Sequence, residues 1–423
     1  MPHLQDGLNE TSIKIAMKFA SALVTDHEPA HTAVDVARLL TEQIRAQLPS
    51  QIDLAVMFVS SHYAPKARLL AEELRRSLNI HTLIGCSAEG VIGSTQEIEH
   101  APAVSLIATH LPGVQITPFQ LRVNEVQNWN ELLDSPLTFR QAIGVPSVPK
   151  LFMLLADPFS TPIDPLLEAF NAYYIGAPVM GGMASSGQHA GANALILNDE
   201  IVAFGAVGVA LSGDVDIDVV VSQGCRPIGH TYKVTGTNED MIFSLNGGSP
   251  LKQVQEMVND LGEADRELLH SGLYVGRAVR RVATSNQDDV LGRGDFLIRG
   301  VRGVDQRSGA IAIGDYLEDG EIVQFHLRDA KTAEEDLELM LTPQAFFDPP
   351  AGAILFSCNG RGTRLFDHPN GDVTTIQKTL GENAPVPLAG FFCGGEIGPI
   401  GGRNFLHGHT ASLVLFRPSG MKR

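Results

Sequence analysis

Ser105-Leu-Ile-Ala-Thr-His-Leu-Pro-Gly113 is echoed twice along the chain, as Gly205-Ala-Val-Gly-Val-Ala-Leu-Ser-Gly213 and as Ser412-Leu-Val-Leu-Phe-Arg-Pro-Ser-Gly420. Each echo is an apolar run that closes on a Pro/Ser-Gly turn. Each also follows a glycine-rich loop: Ile84-Gly-Cys-Ser-Ala-Glu-Gly90, Met180-Gly-Gly-Met-Ala-Ser-Ser-Gly187 and Ala389-Gly-Phe-Phe-Cys-Gly-Gly-Glu396. The interval from loop glycine to turn glycine is about 28 to 32 residues, the spacing of a repeated supersecondary unit. A further apolar run ending in small polar residues stands before each loop: Ala55-Val-Met-Phe-Val-Ser-Ser61, Phe152-Met-Leu-Leu-Ala-Asp-Pro158 and Ala353-Ile-Leu-Phe-Ser-Cys-Asn359. After the first two of these runs, proline announces a helix, with Pro65 ahead of Leu70, Leu74 and Leu78, and Pro162 ahead of Ile163, Leu166, Leu167 and Phe170. Long apolar runs without strict alternation imply strands covered on both faces. The predicted fold class is α/β, with duplicated strand-helix-strand units in layered mixed sheets flanked by helices.

Working outward, helical spacing runs through Ala33, Ala37, Leu40, Ile44 and Leu48, after a short strand signal at Ala20 to Val24. A region of different character separates the second and third units. It has strand signals at Tyr232 to Val234, Phe296 to Ile298 and Ile322 to Leu327, and a helix through Leu251, Val254, Val258 and Leu261. A second helix ends at Leu337 to Leu341. A boundary near 221–226 divides the chain into an N-terminal domain over 18–222 and a C-terminal domain over 223–420.

A chain of 423 residues, 44% hydrophobic and 19% charged, is long enough for two or more cores. Its net charge of -17 opposes association with nucleic-acid phosphates or anionic lipid, which need clustered Lys and Arg. No apolar run approaches the length of a bilayer-crossing helix, and Met1 to Asn9 is polar, so the expectation is a cytoplasmic protein with no membrane segment. Four cysteines, none in a Cys-x-x-Cys pair, predict neither a disulfide framework nor structural zinc.

Side-chain chemistry concentrates from Gly390 to Thr410, where Cys393, Glu396, Arg403, His407, His409 and Thr410 are interleaved with glycines that free the backbone to approach a ligand or to turn tightly. The first loop offers Gly85, Cys86, Ser87 and Glu89, and Cys393 reads as the counterpart of Cys86. Either thiol would be a nucleophile activated by loop N–H groups or a buried, ligand-lining cysteine. Arg226 and Arg328 offer bidentate carboxylate recognition, or internal ion pairs, and Arg226, Arg361 or Arg403 would meet an anionic group of a ligand. Asp157 is either a site acid or a helix cap. His407 and His409 share one strand face but lack the ligand set of a metal site, no Walker or dinucleotide motif is present, and no cofactor is called for.

Taken in order, the Ile84-to-Gly90 loop, Gln223-Gly-Cys-Arg-Pro-Ile-Gly229 leading to Val234-Thr235, Phe296-Leu-Ile-Arg299, Phe325-His-Leu-Arg-Asp-Ala330, Phe356-Ser-Cys-Asn-Gly-Arg-Gly362 and Gly390 through Thr410 resemble the FIST family. That family is a sensory module of bacterial signalling proteins and of eukaryotic F-box adaptors, and the resemblance spans about Lys18 to Phe416. It implies small-molecule sensing, with amino acids as the suggested ligands, and brings no catalytic residues to carry over. With no attached signalling domain recognisable, the resemblance implies action through a separate protein partner. The expected ligand site comprises the glycine loops with Gly85, Cys86, Ser87, Glu89, Arg226, Arg361, Cys393, Glu396, Arg403, His407, His409 and Thr410. Two alternatives stay open: an enzyme using Cys86 or Cys393 with Glu396 or His407, and a ligand-free interaction scaffold.

Overall fold

Three glycines fix the repeat in space. In a computed structural model describing residues 16–26, 31–49, 51–122, 128–279, 291–381 and 384–420, Gly85, Gly181 and Gly390 each sit beside the preceding parallel strand, opposite Met57, Leu154 and Leu355. A Cβ on any of the three would lie 2.0, 1.8 or 2.1 Å from the facing carbonyl oxygen, so only glycine fits. An isoleucine stands opposite each glycine on its other side: Ile196, Ile397 and Ile92 respectively.

The first unit comprises β1 (Lys18–Thr25), α1 (Ala33–Gln47), β2 (Ile52–Ser60), α2 (Ala67–Leu78), β3 (Ile80–Ala88), the hairpin β4 (Val91–Ile92) and β5 (Glu97–Ile98), and β6 (Ala103–His110). Thr32 and Asp35 close a reciprocal capping box at the start of α1, and Asn79 ends α2 in the left-handed conformation at φ 54°. The second unit comprises β7 (Val114–Leu121), α3 (Trp129–Leu133), α4 (Pro136–Ile143), β8 (Leu151–Ala156), α5 (Ile163–Tyr173), β9 (Val179–Met183), the hairpin β10 (Leu195–Leu197) and β11 (Glu200–Val202), and β12 (Ala206–Gly213).

The third unit opens with β13 (Val215–Ser222) and is then interrupted by β14 (Arg226–Asn238), β15 (Met241–Leu245), α6 (Pro250–Asp260), α7 (Glu263–Leu268), β16 (Tyr274–Ala278), β17 (Phe296–Val304), β18 (Ile311–Ile313) and β19 (Ile322–Leu327). It resumes with α8 (Ala330–Leu341), β20 (Gly352–Cys358), α9 (Gly371–Leu380), β21 (Leu388–Cys393), the hairpin β22 (Glu396–Ile400) and β23 (Arg403–His407), and β24 (Ala411–Pro418). The three opening echoes are the structurally equivalent strands β6, β12 and β24.

Each unit forms a six-stranded mixed sheet whose last two strands come from another unit. The orders are β1-β6-β2-β3-β10-β11, β7-β12-β8-β9-β22-β23 and β13-β24-β20-β21-β4-β5. The hairpins are thus exchanged cyclically, the second unit's to the first sheet, the third's to the second and the first's to the third. The interruption forms a closed antiparallel barrel, β14-β15-β18-β17-β16-β19.

Alternating side chains explain the uninterrupted apolar runs. Along β2, Leu54, Val56 and Phe58 face a core shared by all three sheets, whereas Ala55, Met57 and Val59 pack beneath α1 and α2. Leu155 of β8 and Phe356 of β20 meet the same inner core, and Phe58 stacks on Phe391 with ring centroids 4.8 Å apart. The α/β, layered, mixed-sheet expectation therefore stands, with a barrel added that periodicity did not announce. The 222/223 boundary falls where the chain leaves β13 for the barrel, although β13 pairs along its whole length with β24. Among the described residues no helix is long and apolar enough to cross a membrane; Met1 to Asn9 lies outside them.

Candidate functional site

The glycine register shows where the units diverge. Three residues beyond Met57, Leu154 and Leu355 stand Ser60, Asp157 and Cys358, all buried at the C-terminal end of the first strand of each parallel pair. On the exchanged hairpins, Val91 lies opposite Phe391 and Leu195 opposite Cys86, but the third unit places Glu396 there, opposite Gly182. Cys86 therefore corresponds to Gly182 and Phe391. The expected equivalence of Cys86 and Cys393 is displaced by two residues.

Glu396 is fully buried. Its Oε2 accepts hydrogen bonds from the Thr410 amide and hydroxyl at 3.0 and 2.8 Å, while Oε1 has no partner among the described residues. Burial pushes this carboxyl up to about 8 against the pull of the Thr410 donors. His409 has φ 72° and an edge-on contact with Tyr274 at 5.1 Å, and its buried Nδ1 also lacks a partner. Burial, then the positive charges of Arg328 and Arg361, hold its imidazole down to about 4. Arg361 is fully buried, donates to Asp372 from Nε at 2.9 Å and from Nη2 at 2.6 Å, and reaches the His409 carbonyl at 3.4 Å. Cys358 Sγ accepts the Gly360 amide at 3.3 Å, and burial together with Glu396 pushes its thiol up to about 12. Arg361, Glu396, His409 and Thr410 are thus brought together, joined by Cys358, Arg328 and Tyr274.

The other predicted residues go elsewhere. Cys86 and Cys393 lie in the shared apolar core, where burial holds both thiols well above their ordinary value. Cys393 Sγ fills the space above Gly182, where a Cβ would come within 2.5 Å of it. The Ser87 hydroxyl oxygen accepts from the Ser186 hydroxyl and the Ala194 amide at 2.6 and 2.9 Å. Glu89 pairs with Arg364, Arg226 with Asp265, and Arg403 with Glu168, all with solvent access. Asp157 caps its turn, accepting from the Phe159 amide, Ser160 hydroxyl and Asn193 amide group. Loop N–H groups expected to face a ligand bind other loops instead: Met183 donates to Gly395, Gly394 to Met183 and Phe392 to Gly90, at 2.8 to 3.0 Å.

A cleft of about 380 Å³ opens at residues 406–408, where β23 ends, between the barrel and α5. Leu406, His407 and Gly408 form its floor, Asp164 stands on the α5 side, and Asp240, Arg299, Arg302, Asp315 and Tyr316 come from the barrel. His407 is neutral and fixed, its Nε2 donating to the Gly398 carbonyl at 2.9 Å while burial holds it down to about 4. Arg299 Nε lies 3.3 Å from Asp315, whose Oδ2 is also 3.5 Å from Arg277. Arg302 packs over Gly314, where a Cβ would lie 3.0 Å from its Nη2. Partial desolvation raises the Asp164 carboxyl; Arg299 opposes that rise and Asp315 adds to it. Sequence reading found His407 here and quoted Arg299 within a motif, but missed Asp164, Asp240, Arg302 and Tyr316, which no local pattern marks. Among the described residues no cluster of His, Cys, Asp and Glu has the arrangement of a metal site.

The fold is of the mixed α/β class with duplicated units, and its barrel junction carries a charged cleft of small-molecule size. The chain belongs to the FIST family: the FIST N domain model matches residues 53–248 and the FIST C domain model residues 250–399. FIST domains are associated with sensory small-ligand binding in signalling. It is similar to the uncharacterized protein Rv0628c of Mycobacterium tuberculosis, at 36% identity over 95% of this chain and 100% of the relative. The uncharacterized protein Mb0898c of Mycobacterium bovis is 36% identical over 95% of this chain and 99% of its own length. A solved cyanuric acid hydrolase from A. caulinodans aligns with 95% of this chain and 99% of its own, at 10% identity and a TM-score of 0.32, too slight a likeness to carry an argument.

Proposed function

We propose that the chain is a cytoplasmic sensor that binds a small amphoteric molecule of the amino-acid kind in the β23 cleft and signals through a separate protein partner. The observation that carries this reading is the make-up of the cleft. Arg302, Asp164 and Asp240 meet there from different elements, and among the described residues none of their side chains is in direct hydrogen-bond or ion-pair contact, Asp164 feeling only the more distant attraction of Arg299. A guanidinium recognises a carboxylate and a carboxylate recognises an ammonium group, so one ligand carrying both would satisfy both walls. The segment 406–410 supports a route for the signal, since Leu406 and His407 line the cleft and Thr410 holds Glu396 in the interior.

Thiol catalysis is supported less well, because burial disfavours the thiolate at all four cysteines. Thermal-shift measurements with free amino acids and central metabolites test the binding reading. A ligand at one hundred times its Kd adds about 2.7 kcal/mol to stability, and the expected shift disappears in Arg302→Ala. No shift with any compound, or shifts that survive Arg302→Ala and Asp164→Asn together, would overturn it.

A further inference from the structure

We infer that the β23 cleft selects a dibasic α-amino acid, of the lysine, ornithine or arginine class, over neutral and acidic ones; this rests on the amino-acid reading above. The inference follows from pairing the charges that line the cleft and seeing which remain. Arg299 is engaged by Asp315 at 3.3 Å, and Arg277 is engaged by Glu321 at 2.7 Å and by Asp315 at 3.5 Å. That cluster is internally matched, two guanidiniums against two carboxylates. What remains facing the cleft without a direct contact partner is one cation, Arg302, and two anions, Asp240 and Asp164, the latter drawn on only at longer range by Arg299.

The complement of one guanidinium and two carboxylates is a molecule with one carboxylate and two cationic groups. A monoamino zwitterion would leave one aspartate uncompensated, a dicarboxylic amino acid would bring a second anion toward the aspartates, and a diamine would leave Arg302 without a counter-charge. Three further features agree. Desolvation raises the Asp164 carboxyl despite the pull of Arg299, a cost that a cationic group bound beside it would relieve. Tyr316, 72% exposed, also lines the cleft and brings an aromatic ring able to make a cation–π contact with an ammonium or guanidinium group. A volume of about 380 Å³ lies within the range of small-ligand sites, and the chain's net charge of -17 favours the approach of cations.

Isothermal titration of the full chain at pH 7 and moderate salt, with L-lysine, L-norleucine, L-glutamate and cadaverine as separate probes, tests the inference without any variant. Norleucine keeps the chain length of lysine without its ε-ammonium, and cadaverine keeps both ammonium groups without the carboxylate. Lysine is expected to bind at least tenfold more tightly than each of the others. One of Asp164→Asn and Asp240→Asn should bring lysine to the norleucine level, with the melting temperature of the free protein essentially unchanged. Norleucine or glutamate binding as tightly as lysine would overturn the dibasic selection while leaving an amino-acid site in place. Cadaverine binding as tightly as lysine would also overturn it, since the carboxylate would then contribute nothing. Failure of all four probes, with failure of the wider amino-acid panel, would bring down the underlying reading as well.

Discussion

The second and third units each bury an acidic side chain, Asp157 just beyond β8 and Glu396 at the start of the hairpin strand β22, and hold the two in opposite ways. In the second, both oxygens of Asp157 are occupied, by the Phe159 amide and Ser160 hydroxyl on one side and Asn193 on the other. In the third, Glu396 replaces the aliphatic Val91 and Leu195 of its sister hairpins and keeps one buried oxygen without a partner, near His409 and the Arg361–Asp372 pair. A closed network stabilises a turn. A buried polar group left open costs free energy, and native proteins retain such groups mainly where they have a role beyond packing. The third unit also carries the barrel and supplies the floor of the cleft, so loss of the repeat pattern and gain of chemistry coincide.

Arg361→Met should break this comparison most severely. It leaves Asp372 buried without its guanidinium, and a loss of about 3–5 kcal/mol is expected in chemical denaturation. Asp157→Ala strips the acceptor from three donors and should cost about 1–3 kcal/mol, with no change in ligand binding because that network lies outside the cleft.

The smallest effect is the most diagnostic, because it depends on pH. Glu97 and Glu396, both pushed up to about 8 chiefly by burial, hold a proton in the folded chain that the unfolded chain releases near 4.5. Their contribution is complete below about 4.5 and is lost as pH rises through 8. His407 and His409, held down to about 4, act in the opposite sense: their contribution is present above 6.5 and is lost as pH falls toward 4. Between pH 6.5 and 8 the carboxyls dominate, so the melting temperature should decline across that window. Glu396→Gln should make the decline shallower, and an unchanged slope would place the titrating group elsewhere.

The repeated strands and helices were legible because their signals are local. Leu70, Leu74 and Leu78 mark the buried face of α2, and the runs at 55–60, 152–157 and 353–358 are buried on both faces. The exchange of hairpins was not, because Ile92 pairs with Gly390 across nearly three hundred residues and a two-residue strand leaves no periodicity. The assumed match of Cys86 with Cys393 failed because glycines recur in all three loops, and only pairing with the preceding strand identifies which ones correspond. Concentration of chemistry in 390–410 did point to the hairpin that touches both the cleft and the interior cluster. The facing wall stayed hidden because Asp164, Asp240, Arg302 and Tyr316 are ordinary residues that the fold alone assembles.

The most direct test of the central claim is a crystal structure of the full chain grown with whichever amino acid gives the largest thermal stabilisation. Ligand density is expected in the β23 cleft, with its carboxylate on Arg302 and an ammonium group on Asp164 or Asp240. Density instead in the interior, among Cys358, Glu396 and His409, with the cleft unchanged, would contradict it.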